Sequence, residues 1–201
     1  MTGVDTPDLI YDAETQRPFL HGRRVMSVTD VLKIMGLYDA MAASDYHLWM
    51  GQNRHAAVEL WVKKTLDLST VHPDVLPSVE AYLEFESATG FVPYPGEHGS
   101  EVKKWNPILQ LATRIDLLGK FPDGSEGIVE LKSGTVSDVT GLQTAGQDIC
   151  IGGPRRKRFG LSVPQTGKPT VKPFQRADDY LTFISMLNAA RWRVDHGQVK
   201  L

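Results

Sequence analysis

Apolar and polar residues alternate along Ile128-Val129-Glu130-Leu131-Lys132, which places Ile128, Glu130 and Lys132 on one face of a β-strand and Val129 and Leu131 on the other. Upstream, Arg114-Ile115-Asp116 belongs to a second strand, and the Asp-Gly pair inside Phe121-Pro122-Asp123-Gly124-Ser125 signals a hairpin between the two. Asp116 therefore folds back alongside Glu130. Elsewhere the apolar spacing is helical. Val28, Val31, Leu32 and Met35 form a buried stripe in a helix through Leu37 that Ser27 or Thr29 can cap. His55, Val58, Glu59 and Val62 share a face in a long helix, or a pair broken near Gly51, over about 45–66. Val79, Tyr82, Leu83 and Phe85 mark a helix over about 75–87.

A further helix opens near Gly141, with Ser137 or Asp138 as its start signal and Gln143 in its early turns. The last spans about 177–194, with Tyr180, Phe183, Ile184, Leu187 and Trp192 near one stripe. Short strands pair as a hairpin over 9–25, and again over 159–163 and 170–174 about a Gln165-Thr166-Gly167 turn. Helices, then strands, a helix and more strands imply an α/β fold with a central mixed sheet flanked by helices. Within a single domain of 201 residues, a hairpin and helical region (about 1–90) precedes a catalytic core (about 91–201). No repeat or low-complexity tract interrupts it.

The chemistry sits on the paired strands. Carboxylate oxygens suit hard divalent cations such as Mg²⁺, and a lysine on the same strand face can orient a nucleophile or help to deprotonate it. Alone, the motif is matched by a mundane alternative in which Glu130 and Lys132 form a solvated pair. Other segments shift the balance. Ser27-Val28-Thr29-Asp30-Val31-Leu32, Gly51 to His55, Glu101-Val102, Ala112 to Asp116, Glu130-Leu131-Lys132 and Leu142-Gln143-Thr144-Ala145 resemble, in order and rough spacing, the motifs of the RecB-like branch of the PD-(D/E)XK nuclease superfamily. Within that branch they resemble especially the small phage exonucleases that serve DNA recombination.

That resemblance implies a PD-(D/E)XK restriction-endonuclease-like core and a Mg²⁺- or Mn²⁺-dependent deoxyribonuclease using one or two ions. Its expected ligands are Asp116, Glu130 and the Leu131 backbone carbonyl, with His55 as an additional ligand or close neighbour. Lys132 becomes the catalytic lysine, Gln143 positions that lysine or a DNA phosphate, and Glu101 touches a metal-bound water. Glu97 and His98 compete with Glu101 for its place. The chain departs from the family pattern at Thr113, Glu130 and Gln147, where glycine, aspartate and tyrosine are common; the last change removes an aromatic contact near Gln143.

Charge and cysteine content narrow the partners. A net charge of -2 gives no global attraction to DNA, so binding needs local basic surface. Candidates are Lys103 and Lys104, and the run Arg155, Arg156, Lys157 and Arg158, for which a solvated loop is the plain alternative. Trp105 either stacks on a frayed base or packs in the core. The lone Cys150 cannot form an internal disulfide or hold an iron–sulfur cluster, and fits a core position. The absence of a long apolar run or a charged-then-apolar leader implies a cytoplasmic protein, in a bacterial or phage-infected cell, with no membrane partner. The expected substrate is double-stranded DNA with free ends, and the resemblance adds a single-strand annealing protein as partner. A structure-selective endonuclease and a non-catalytic DNA-binding scaffold are the alternatives.

Overall fold

In the computed structural model, residues 8–38, 45–163 and 169–201 are described. The predicted Gln165-Thr166-Gly167 turn lies outside them. Near the N-terminus, β1 (Leu9–Tyr11), β2 (Pro18–Leu20) and β3 (Arg23–Arg24) form a three-stranded antiparallel sheet, one strand more than the predicted hairpin. β4 (Met26–Ser27) leads into α1 (Val28–Ile34). Ser27 caps that helix reciprocally: its hydroxyl accepts from the Asp30 N–H at 3.1 Å, and the Asp30 carboxylate accepts from the Ser27 N–H at 2.8 Å. Arg24 then grips both oxygens of Asp30 at 2.7 Å.

α2 (Asp45–Val62) runs unbroken through Gly51, and ends at Val62 rather than near residue 66. An interior glycine costs a helix only about 1 kcal/mol against alanine, too little to break one anchored by packing. α3 (Leu76–Thr89) follows and stops at Gly90, whose φ of 65° is the left-handed cap that glycine adopts without strain.

The main sheet comprises β4, β5 (Val92–Pro93), β6 (Ser100–Asn106), β7 (Leu111–Lys120), β8 (Glu126–Lys132), β9 (Lys157–Ser162) and β10 (Thr170–Pro173). It is mixed, with β4–β7 and β8–β9 parallel and the other pairs antiparallel. β7 is the pivot. Leu111 pairs with both Asn106 and Met26, and Leu117 with both Ser100 and Val129. A strand residue has two edges, so β6 occupies one edge of β7 while β4 and β8 share the other. β4 pairs only at residues 111–112 and β8 only at 117–120. Between them, positions 113–116 face a gap in the sheet, and that gap is where most of the candidate site residues gather.

Alternation along β8 sends Val129 and Leu131 into a core with Tyr82, Phe85 and Phe91 from α3 and the loop after it. The opposite face meets α4 (Asp138–Ile151), which is covered in turn by α5 (Asp178–Asp195). α5 contributes Phe183, Met186, Leu187 and Ala190 to the core. The predicted stripe errs at Trp192, which is 57% exposed and stacks on His196 with ring centroids 4.4 Å apart. No helix among the described residues is long and apolar enough to cross a membrane.

Gly146 sets the α4–α5 distance, since a Cβ there would lie 2.5 Å from two ring carbons of the fully buried Phe183. Gly146→Val is expected to destabilise the fold by about 1–3 kcal/mol, although losing a helix-interior glycine at an open position would be favourable. A lowered urea midpoint with unchanged slope checks this; a raised midpoint contradicts the packing.

Candidate active site

The gap along β7 opens into a cleft of about 280 Å³ lined by His55, Asp116, Glu130, Leu131, Lys132 and Gln143, with Tyr11, Tyr38, Arg114 and the start of α1 on its walls. Residues far apart in sequence converge there because four elements meet at the gap: α2 brings His55, β7 Asp116, β8 Glu130 to Lys132, and α4 Gln143. Strand register brings a fifth, β6, alongside from the other edge of β7. Ser100↔Leu117 and Val102↔Ile115 put Glu101 level with Asp116, and extending Leu117↔Val129 by one residue puts Asp116 level with Glu130. Three carboxylates thus form a row across three adjacent strands.

Each carboxylate is held differently. Asp116, 8% exposed, accepts the Leu131 N–H at 2.8 Å, so beyond Leu117↔Val129 a side chain takes the place of the ladder. Glu130, 4% exposed, is gripped at both oxygens by two amides one helical turn apart: Gln143 Nε2 donates to Oε1 at 2.6 Å and Gln147 Nε2 to Oε2 at 2.8 Å. Lys132 Nζ donates to Glu130 Oε1 and Gln143 Oε1, each at 2.9 Å, and to the Tyr38 hydroxyl at 3.0 Å. Burial opposes the Lys132 charge, but Glu130, Tyr38 and Asp116 outweigh it and hold the group as an ammonium above the ordinary lysine range. It therefore donates hydrogen bonds here rather than acting as a free base.

The end of β8 is tied down. Val163 N–H donates to the Lys132 carbonyl at 2.8 Å, and Ser162 Oγ to the Gly134 carbonyl at 2.8 Å. Arg54, 4% exposed, donates to the Ser133 carbonyl at 3.1 Å. Adjacent residues of α2 thus serve the same site, Arg54 from behind and His55 from within.

His55, Glu101 and Asp116 offer one ligand atom each, all within 4.8 Å of one another. His55 Nδ1 lies 3.7 Å from Asp116 Oδ2, and Glu101 is paired with Arg114 Nε at 2.7 Å. Glu97 and His98 are exposed on the turn before β6. Glu101 also has a φ of 51°, a left-handed conformation that costs a non-glycine residue about 1–3 kcal/mol and clusters at functional sites. Burial, and then the charge of Asp116, push Glu101 above the ordinary carboxylate range, with Arg114 opposing. Burial, and then Glu130, push Asp116 the same way against His55, Lys132 and the Leu131 N–H. Two oxygen donors and an imidazole with this unrelieved negative charge fit a divalent cation. Glu130 stands outside that group of three, its oxygens already committed to amides and ammonium.

Tyr38 and Gln147 join the site without having been expected there. Gln147 could have been found from its position one turn after Gln143. Tyr38, beyond α1, carries no sequence signal. The basic run fares differently. Arg156 pairs with Glu126 at 2.9 Å and Asp148 at 3.0 Å, Arg158 with Asp179 at 3.0 Å and Lys157 with Asp123 at 2.7 Å. Arg156 and Arg158 are structural pins inside the fold, and Arg155 lies over the Tyr180 ring at 4.3 Å. Lys103 is exposed beside Tyr11, level with Arg114, and Lys104 is half-buried opposite Thr113. Trp105 packs with Leu9 and Ala112, and Cys150 is buried with its thiol 3.1 Å from the Leu111 carbonyl.

No family model matches this chain, and no curated protein matches it in sequence. A solved structure shares its fold. That chain, from Eubacterium rectale, carries a provisional designation as an exonuclease; the match covers 88% of this chain and 83% of that one, with a TM-score of 0.52 at 14% identity. At this identity the likeness establishes the architecture, a mixed sheet flanked by helices.

Because Asp116 and Glu101 hold protons more tightly folded than unfolded, the metal-free fold loses stability as pH rises from about 4 through their raised values. Mn²⁺ added to chelator-stripped protein should raise Tm more at about pH 8 than at about pH 5.5, where protons compete for the same oxygens. Asp116→Asn with Glu101→Gln should abolish the metal effect and raise the metal-free Tm at the higher pH. A pH-independent metal shift, or one that survives the double substitution, places the cation elsewhere.

Proposed function

We propose that this chain is a Mg²⁺- or Mn²⁺-dependent deoxyribonuclease, an exonuclease acting on linear double-stranded DNA in end processing or phage-type recombination. The observation that carries the reading is the carboxylate row of Glu101, Asp116 and Glu130, with His55 and Lys132 beside Asp116 and Glu130 in the cleft and Glu101 lining the adjoining one, which His55 shares. His55, Glu101 and Asp116 would hold the ion, with the Leu131 carbonyl as a further donor. When bound, the ion supplies Lewis acidity against the charge that develops on phosphoryl oxygens. Leu131 N–H orients Asp116, and the two glutamines fix Glu130 so that Lys132 has a set partner. Lys132, an ammonium, orients the attacking water and stabilises negative charge by donation. Lys103 and Lys104, level with residues of the gap, contact the DNA backbone. The end-processing role, and a single-strand annealing protein as partner, follow the resemblance of the motifs to phage recombination exonucleases.

Purified protein should degrade end-labelled linear duplex DNA with Mg²⁺ or Mn²⁺ and not with chelator, and Lys132→Ala should lower kcat by about 10²–10³-fold while still binding DNA. Wild-type turnover in Lys132→Ala removes the catalytic assignment. Cutting of closed circles moves the reading to an endonuclease, and binding without cleavage under every condition moves it to a scaffold.

A further inference from the structure

Lys132 has three N–H groups and three acceptors. Glu130 Oε1 and Gln143 Oε1 take two at 2.9 Å, and the Tyr38 hydroxyl takes the third at 3.0 Å. The Tyr38 hydroxyl has one proton of its own, donated to Gln143 Oε1 at 3.0 Å. Gln143 Oε1 therefore receives two donors, which turns its Nε2 to Glu130 Oε1 at 2.6 Å. Flipping the amide would set an N–H₂ against an ammonium and a phenol, and an oxygen against a carboxylate. Only one arrangement of protons satisfies all four groups.

Glu130 and Gln143 are 4% and 6% exposed and sit on the sheet and on α4. Tyr38 comes from beyond α1, is half-buried on the cleft wall, and packs partly against the apolar cluster of α1 and α5. We propose that Tyr38 is a positioning residue that fixes the Lys132 ammonium and the Gln143 amide for the hydrolysis, an inference that rests on the nuclease reading above. Without its hydroxyl, Lys132 has an unmatched N–H beside a second carboxylate, Asp116, and Gln143 loses one of the two donors that set its amide.

Tyr38→Phe keeps the ring and its packing and removes only the hydroxyl. With metal ion and linear duplex DNA, kcat should fall about tenfold or more with KM and DNA affinity unchanged, since misplacement of a reacting group acts on the chemical step. A second readout needs no turnover. In metal-free protein labelled with ¹⁵N-lysine, the Lys132 ammonium should give a solvent-protected NMR signal, assigned by its loss in Lys132→Met, that Tyr38→Phe shifts and exposes to exchange. An unchanged kcat with an unchanged ammonium signal overturns the proposal, as does a raised KM at wild-type kcat, which makes Tyr38 a substrate contact. If the wild-type protein cleaves no DNA, the nuclease reading fails by itself, and the ammonium signal still decides whether Tyr38 holds Lys132.

Discussion

Mutual repulsion among Glu101, Asp116 and Glu130 is the constraint to which the rest of the site answers. Strand register sets these carboxylates level on neighbouring strands, and burial removes most of the water that would screen them. Left alone, such a row would protonate or open the sheet. The fold answers with a different partner for each: Arg114 for Glu101, the Leu131 N–H and His55 for Asp116, and two amides with Lys132 for Glu130. Glu130 accepts three hydrogen bonds from these partners, whereas burial and their neighbours push the proton affinity of Glu101 and Asp116 up. The residual charge therefore lies on the side of the row that faces His55, and there a cation would be most strongly drawn.

The sheet makes room for the row by failing to close. β4 and β8 share one edge of β7 without meeting, and between their pairings Thr113, Arg114 and Asp116 line the cleft. Neither strand could be extended without filling the site. Glu101 shows the same compromise on the other edge: it lies between two paired positions of β6 yet has a left-handed backbone, a strain that flanking register must sustain. Rigidity follows from what anchors the strand ends. The β8 terminus is held by Arg54, Ser162 and Val163 through three successive carbonyls, those of Ser133, Gly134 and Lys132.

Much of this was legible in the chain because it is local. Period-two alternation around Glu130 and the Asp-Gly turn fixed the face of Glu130 and Lys132 and the antiparallel return of Asp116; three- and four-residue spacing put His55 and Gln143 on helices. Tyr38 was invisible because one tyrosine past a short helix has no pattern, and its partners lie 94 and 105 residues away. Gln147 read as the loss of an aromatic contact, yet its amide closes the second half of the grip on Glu130. The ranking of the glutamates also changed. Glu101 looked the weakest candidate by motif, and it falls within the group of three ligand atoms while Glu130 does not.

The basic run divides between residues built into the fold and residues on its surface. Three of the four consecutive cations have carboxylate counter-ions, spread over Asp123, Glu126, Asp148 and Asp179, while the exposed Arg155 lies over the Tyr180 ring. Arginine is suited to that service, since a planar fork can satisfy several oxygens at once; Arg156 reaches two carboxylates and two backbone carbonyls. Buried pairs of this kind contribute little net stability but cost several kcal/mol when one partner is removed, so Arg156 and Arg158 matter to the fold however they relate to DNA. In a chain of net charge -2, any attraction for a polyanion must then come from cations other than these buried arginines. Arg114 is one such cation: it holds Glu101 at 2.7 Å and stands at the meeting point of the cleft and its neighbour, both of which it lines together with His55.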